Sequence, residues 1–215
     1  MRTKTLLLTA ALSAAGLTTS MAQTVYSVNA VGFVNVTVAA GSFALLSNPL
    51  NQATNDLASV LPDAPANTTS IYDLDAATST YSIYTKRATA WAGTGADTAR
   101  LNPGKGFFLR NTATTPITLT VIGEVPQGTL TTSNRAGFNL LGSQVPQAGA
   151  IETLLGLPAA NGDVVFVLNA AGAYDSATRR ATSWPSGEPT LGVAQGFFLN
   201  AAAAKTWTRT FSVNN

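Results

Sequence analysis

The chain of 215 residues contains no cysteine and no histidine. Those two absences exclude a disulfide framework, a zinc finger, Cys- or His-based nucleophile systems and a Ser/His/Asp triad. Any catalysis is left to carboxylates, lysines, tyrosines or hydroxyls. Charge is scarce as well, at 10% of residues against 46% hydrophobic ones. No apolar run reaches the roughly 18 to 20 residues that a spanning helix requires, so the sequence predicts no helical membrane anchor. Without a cysteine there is also no acceptor for a lipoprotein anchor.

What is present begins with an export signal. Arg2 and Lys4 form a basic start, residues 5–18 are apolar or small around Leu6, Leu7 and Leu8, and Ser20 and Ala22 fit a small-x-small cleavage site. The cut is placed after Ala22, so the secreted form begins at Gln23. Two of the twelve basic residues leave with this leader, whereas all ten acidic ones lie beyond it, so the mature chain is neutral at ten against ten. A neutral chain without a clustered basic footprint argues against nucleic acid as a partner. Its length suffices for one large or two small domains, burying about 70% of the unfolded surface.

An internal repeat organises the rest. GFVNVTVAAG (residues 32–41) aligns with GTLTTSNRAG (128–137) at an offset of 96. Phe43, Leu45 and Leu46 align with Phe138, Leu140 and Leu141 at 95, and Leu57, Val60 and Leu61 with Ile151, Leu154 and Leu155 at 94. KRATAW (86–91) matches RRATSW (179–184) at 93, with Tyr81 on Tyr174, and the GFFL runs starting at Gly106 and Gly196 match at 90. Collinear matches separated by small length changes predict a duplication.

The local patterns are those of strands. Val34, Val36 and Val38 alternate with polar residues, as do Ile117, Leu119 and Val121, which is the period of a strand with one buried face. Asn102, Pro103 and Gly104 predict a turn before Phe107 and Phe108, and residues 169–172 a hairpin loop. Each unit is expected to hold about five short strands. The Leu57/Val60/Leu61 and Ile151/Leu154/Leu155 spacings each predict one short helix covering the end of a sheet.

The order Gly-Phe-x-Leu-Leu, then Pro, Tyr and Trp, then Pro-Gly-Lys-Gly-Phe-Phe resembles a module of exported bacterial surface proteins that reads "GWNLIS-x-P" and "L-x-PGKGYW". Phe43 and Phe138 stand where Trp is usual, and Phe107/Phe108 and Phe197/Phe198 replace its Tyr-Trp pair. Including VYSVNAVGFVNVTV and the closing TWTRTFSVN, the mature chain is similar to a family of uncharacterised exported proteins from verrucomicrobial bacteria. The resemblance implies an exported β-rich double module and carries over no catalytic residue.

Candidate chemistry is thin. Gly104-Lys105-Gly106 precedes a strand rather than a helix and lacks the spacing of a phosphate loop, and its counterpart in the second unit keeps only Gly196, which suits backbone packing. Asp73 and Asp75 share a strand face but have Val167 and Asn169 as counterparts and no third acid, so a solvated turn is expected rather than a calcium site. No pair among the ten acids sits in a glycosidase motif, and Lys86, Lys105 and Lys205 lie among polar or turn residues rather than beside an activated serine. The repeated surface signal is a basic pair ahead of a Trp: Lys86/Arg87 with Trp91, and Arg179/Arg180 with Trp184. An exposed Trp beside Arg can stack on a sugar. The expectation is instead that both Trp are structural and that Arg87 and Arg180 stay in water. A strand bulge must then reverse the face between Arg and Trp. Trp207 is expected in the core.

The sequence thus predicts an all-β chain of two homologous sandwich- or barrel-like modules from an internal duplication, residues 32–127 and 128–215, each with one short helix. A signal peptide (1–22) and an N-terminal lead-in strand (23–31) precede them. Short helices, interior prolines and the lack of aromatic girdles favour this over an outer-membrane barrel. The expected role is an exported, non-enzymatic structural or cell-surface protein of the periplasm, outer surface or exterior, with no catalytic residue, cofactor or metal. Its expected partners are further copies, through sheet edges, or a surface polysaccharide. The alternative is a carbohydrate-binding or adhesive module contacting ligand through Arg87, Trp91, Arg180 and Trp184. Exposure of Trp91 or Trp184 on a concave face would mark that alternative, and burial of both the structural role.

Overall fold

The computed structural model describes residues 30–213, so the signal peptide and nearly all of the lead-in segment lie outside the described residues. The protein is all-β, with 49% strand and 2% helix. No helix among the described residues is long and apolar enough to cross a membrane.

The first half runs β1 (Val31–Val38), β2 (Phe43–Ser47), α1 (Leu57–Val60), β3 (Thr69–Asp75), β4 (Thr80–Lys86), β5 (Trp91–Ala92), β6 (Gly106–Asn111) and β7 (Ile117–Glu124). The second runs β8 (Gly128–Asn134), β9 (Gly137–Gly142), β10 (Gly149–Ala150), β11 (Val164–Leu168), β12 (Tyr174–Thr178), β13 (Thr190–Leu191), β14 (Gly196–Ala201) and β15 (Lys205–Phe211). These strands outnumber the five or so expected per half, because short hairpin arms add to the long alternating runs. In the first half the sheet order is β2-β6-β3-β4-β5, and in the second β9-β14-β11-β12, so corresponding strands take the same places. In each half the first and last strands form a separate antiparallel ribbon, β1 with β7 and β8 with β15.

Alternation decides what each ribbon buries. Val38, Ile117, Leu119 and Val121 turn inward and join Leu46, Ile71, Phe107 and Leu109 of the sheet in one core. In the second half Trp207 of β15 meets Phe197, Leu199, Val165 and Leu141 in another. Trp207 is fully buried, its ring 6.3 Å from that of Phe197 and its indole N–H donated to the Leu155 carbonyl at 3.1 Å. The adjacent phenylalanines split by strand parity: Phe107 and Phe197 are core, while Phe108 and Phe198 face outward and remain half-buried.

Only one of the two expected helices forms. Asp56 caps α1, its carboxylate accepting from the Ser59 amide at 2.7 Å. The counterpart of Asp56 is Ala150, which has no side-chain acceptor, and residues 151–155 form a turn instead. There the free amides of Glu152 and Thr153 are taken by Glu188 from a distant loop, at 2.6 and 2.8 Å. Ile151 and Leu155 are still buried, but Leu154 is 50% exposed, so the helical stripe is broken at its middle residue.

The halves dock through paired contacts. Leu46 bridges to Gln195, and Lys105 to Leu141. The Ser47 amide donates to Ala194 O at 2.8 Å, and the Gly142 amide to Gly104 O at 3.1 Å. Each contact joins a residue of one half to the counterpart of its mate's partner in the other.

Candidate contact surface

The basic-aromatic segments are hairpin turns rather than bulged strands. β4 ends at Lys86, the Arg87 amide donates to Ala90 O at 2.8 Å, and Trp91 then pairs directly with Lys86. The Arg180 amide likewise donates to Ser183 O at 2.9 Å. The turn, not a bulge, carries Arg87 and Arg180 away from the Trp faces, and both arginines are exposed. Trp91 and Trp184 are half-buried, packed against the first and second cores respectively. Their indole N–H groups differ: that of Trp91 is buried without a hydrogen-bond partner, whereas that of Trp184 donates to Glu152 at 2.6 Å. Arg179 holds the same carboxylate with two nitrogens, at 2.7 and 2.9 Å. Arg179 foremost, with the Trp184 N–H adding, keeps the Glu152 carboxyl below the ordinary Glu range.

The other polar candidates have structural partners. Lys105 pairs with Asp73 at 2.7 Å, so Asp73 is separated in role from Asp75, which caps the β3–β4 turn by accepting from the Ala77 amide at 2.8 Å. Fully buried Asp163 binds Lys205 and the amides of Ala160 and Ala202. These carboxylates fasten loops.

A feature that sequence reading did not assemble lies on the outward faces of the two large sheets. Phe43, Tyr72, Tyr81 and Phe108 come from the first, and their counterparts Phe138, Phe166, Tyr174 and Phe198 from the second. Five of the nine phenylalanines and three of the five tyrosines are used here. Within the first sheet Phe43 lies 5.4 Å from Tyr72 and 6.3 Å from Phe108, and Tyr81 6.3 Å from Phe108. Within the second Phe138 lies 5.9 Å from Phe166 and 6.0 Å from Phe198, and Tyr174 5.9 Å from Phe198. The two groups join where Phe108 and Phe198 meet, 5.6 Å apart.

This surface is open. Phe43, Tyr81, Phe138 and Tyr174 are 47, 42, 49 and 44% exposed, with Ile83 beside them at 49%. Phe138, Phe166, Tyr174 and Phe198 line a notch of about 220 Å³. Desolvation pushes the Tyr81 and Tyr174 phenols above their ordinary range, and Tyr81 adds a smaller upward push on Tyr174. Beneath the rings Leu45 and Leu140 are buried at the junction. The available signal was parity: Tyr72 and Phe166 sit one residue from Ile71 and Val165, so they must face opposite to the core.

No family model, curated protein or solved structure matches the chain.

Proposed function

We propose that this protein is an exported, non-enzymatic structural protein of the cell surface, built by duplication of one sandwich-like module and working by contact through its aromatic surface. The observation that carries this reading is the continuous run of eight rings across both halves. Folded chains rarely leave a contiguous apolar patch beyond a few hundred Å² without a partner for it. The repeated strand order and the exchanged contacts at the junction support the duplication. The leader with its basic start and apolar stretch, the small-residue cleavage site and the resemblance to exported bacterial surface modules support export. The half-buried, core-packed Trp91 and Trp184 favour the structural role over a sugar site at those residues.

The test is fractionation of cells making the chain, with N-terminal sequencing of the exported form and identification of what it contacts. Export predicts a start at Gln23. Substituting Phe43 and Phe138 by Ser should then release the protein from whatever retains it at the surface. An intact Met1 form outside the cytoplasm would reject the leader, and unchanged retention would reject the contact role of the rings.

A further inference from the structure

We infer that the aromatic surface is a homotypic docking site: its occupant is a second copy of this chain, applied face to face with its halves reversed. This rests on the contact reading above and names the partner.

Area is the first argument. At about 200 Å² per ring, the exposed fractions of the eight rings together with Ile83 leave on the order of 600 Å² of apolar side chain accessible. A stable interface takes about 800 Å² from each partner. The rings therefore supply an apolar centre of the size required, and the serines and threonines on the same faces supply a polar rim.

Charge is the second. On the strands that carry the rings, Arg110 is the single charged residue pointing the same way, its guanidinium 5.2 Å from the Phe43 ring. Asp73 and Asp75 lie on the opposite parity of β3, and Asp175 on that of β12. Two copies thus meet with almost no charge to desolvate. The counterpart of Arg110 is Asn200, which pairs with Phe138. With the halves reversed, Arg110 of each copy meets Asn200 of the other, and like charges stay apart.

Ring orientation separates a second copy from a polysaccharide. A sugar stacks on a free ring face, and a chain of sugars needs several faces presented alike. Here neighbouring rings stand at 55 to 88° to each other, apart from Phe138 and Phe166 at 36°. Each ring edge covers part of a neighbouring face, leaving a ridged apolar relief that other side chains can fill.

The absence of cysteine makes the register testable. The protein from Gln23 onward is examined by sedimentation equilibrium as wild type and as the quadruple variant Phe43→Ser, Tyr81→Ser, Phe138→Ser, Tyr174→Ser. Circular dichroism and melting check that the variant is folded, and Phe43→Ser/Phe138→Ser serves if the quadruple variant is not. Wild type should be a dimer, and the folded variant a monomer, with the dimer dissociation constant raised by at least tenfold. Arg110→Cys mixed with Asn200→Cys should give a disulfide-linked pair on oxidation, in excess of either variant alone. A wild type that stays monomeric at its highest soluble concentration, or a dimer that survives the ring substitutions, overturns the proposal. If a monomeric wild type binds isolated cell-wall polysaccharide and the variant does not, the occupant is glycan, and the contact reading survives while the second copy fails. If the ring substitutions alter neither association nor binding, both fail.

Discussion

Gly106 lies against the backbone of Leu141 so closely that a Cβ at residue 106 would come within 2.7 Å of the Leu141 carbonyl oxygen. Its counterpart Gly196 stands in the same relation to Leu46, at 2.6 Å. Neither glycine has a positive φ, so close approach of the backbones, not an unusual conformation, requires them. Gly106→Ala and Gly196→Ala should each destabilise the fold by about 1 to 3 kcal/mol through overpacking. Urea denaturation measures this, and an alanine tolerated at both sites would show that the halves are not held at this junction.

The adjacent phenylalanines should separate by face. Phe107→Ala and Phe197→Ala each empty a core position and should cost about 3 to 5 kcal/mol. Phe108 and Phe198 lose ring contacts on the outer face, to each other and to Phe43, Tyr81, Phe138 and Tyr174, and their mutual contact is worth about 0.5 to 1.5 kcal/mol beyond the area they cover. A double-mutant cycle on Phe108 and Phe198 should give a coupling of that order, and zero coupling would place the rings apart in solution.

The fold class was legible because alternation at Val34, Val36 and Val38 and at Ile117, Leu119 and Val121 reports burial directly. The glycine entering each GFFL strand was legible too, since Gly106 and Gly196 persist where Gly104 and Lys105 become Ala194 and Gln195. The second helix was misread because apolar spacing records which side chains are buried, not whether the amides have a cap. Glu188, which satisfies those amides, is 36 residues away from Glu152. KRATAW was read as strand because Lys86 and Trp91 each belong to one, while the turn between them lacks Gly and Pro. The aromatic surface was illegible as a unit: Phe43, Tyr72, Tyr81 and Phe108 meet only when four strands pair in the order observed.

Acid should weaken the second half through Glu152. Its folded pKa is depressed, so its contribution is present above the unfolded value of about 4.3 and is lost as pH falls through the folded value. Glu152→Gln should therefore lower the melting temperature at neutral pH, and the gap to wild type should narrow as the pH falls below the unfolded value and close once it has passed the folded one. A gap that is constant with pH would mean that Arg179 and Trp184 do not distinguish the charged carboxylate from an amide.

The two equivalent tryptophans should respond in opposite directions to the same substitution. Trp184→Phe keeps most of the ring contact with the second core but removes a donor from Glu152, and a hydrogen bond to a charged group is worth about 1.5 to 3 kcal/mol. Because Glu152 is partly exposed and keeps both Arg179 bonds, a loss of about 1 kcal/mol is expected, below that range. Trp91→Phe removes a buried N–H that has no partner, so the desolvation cost of that group disappears with it. The Lys86 ammonium, 5.7 Å from the Trp91 ring, retains an aromatic face to rest on. Stability should thus be unchanged or slightly raised. Arg87→Ser and Arg180→Ser, in exposed hairpin turns, should stay within about 0.5 kcal/mol of wild type. Chemical denaturation of the four variants decides the matter. Equal losses at Trp91 and Trp184 would show that ring packing alone governs both sites and that the Glu152 contact contributes nothing.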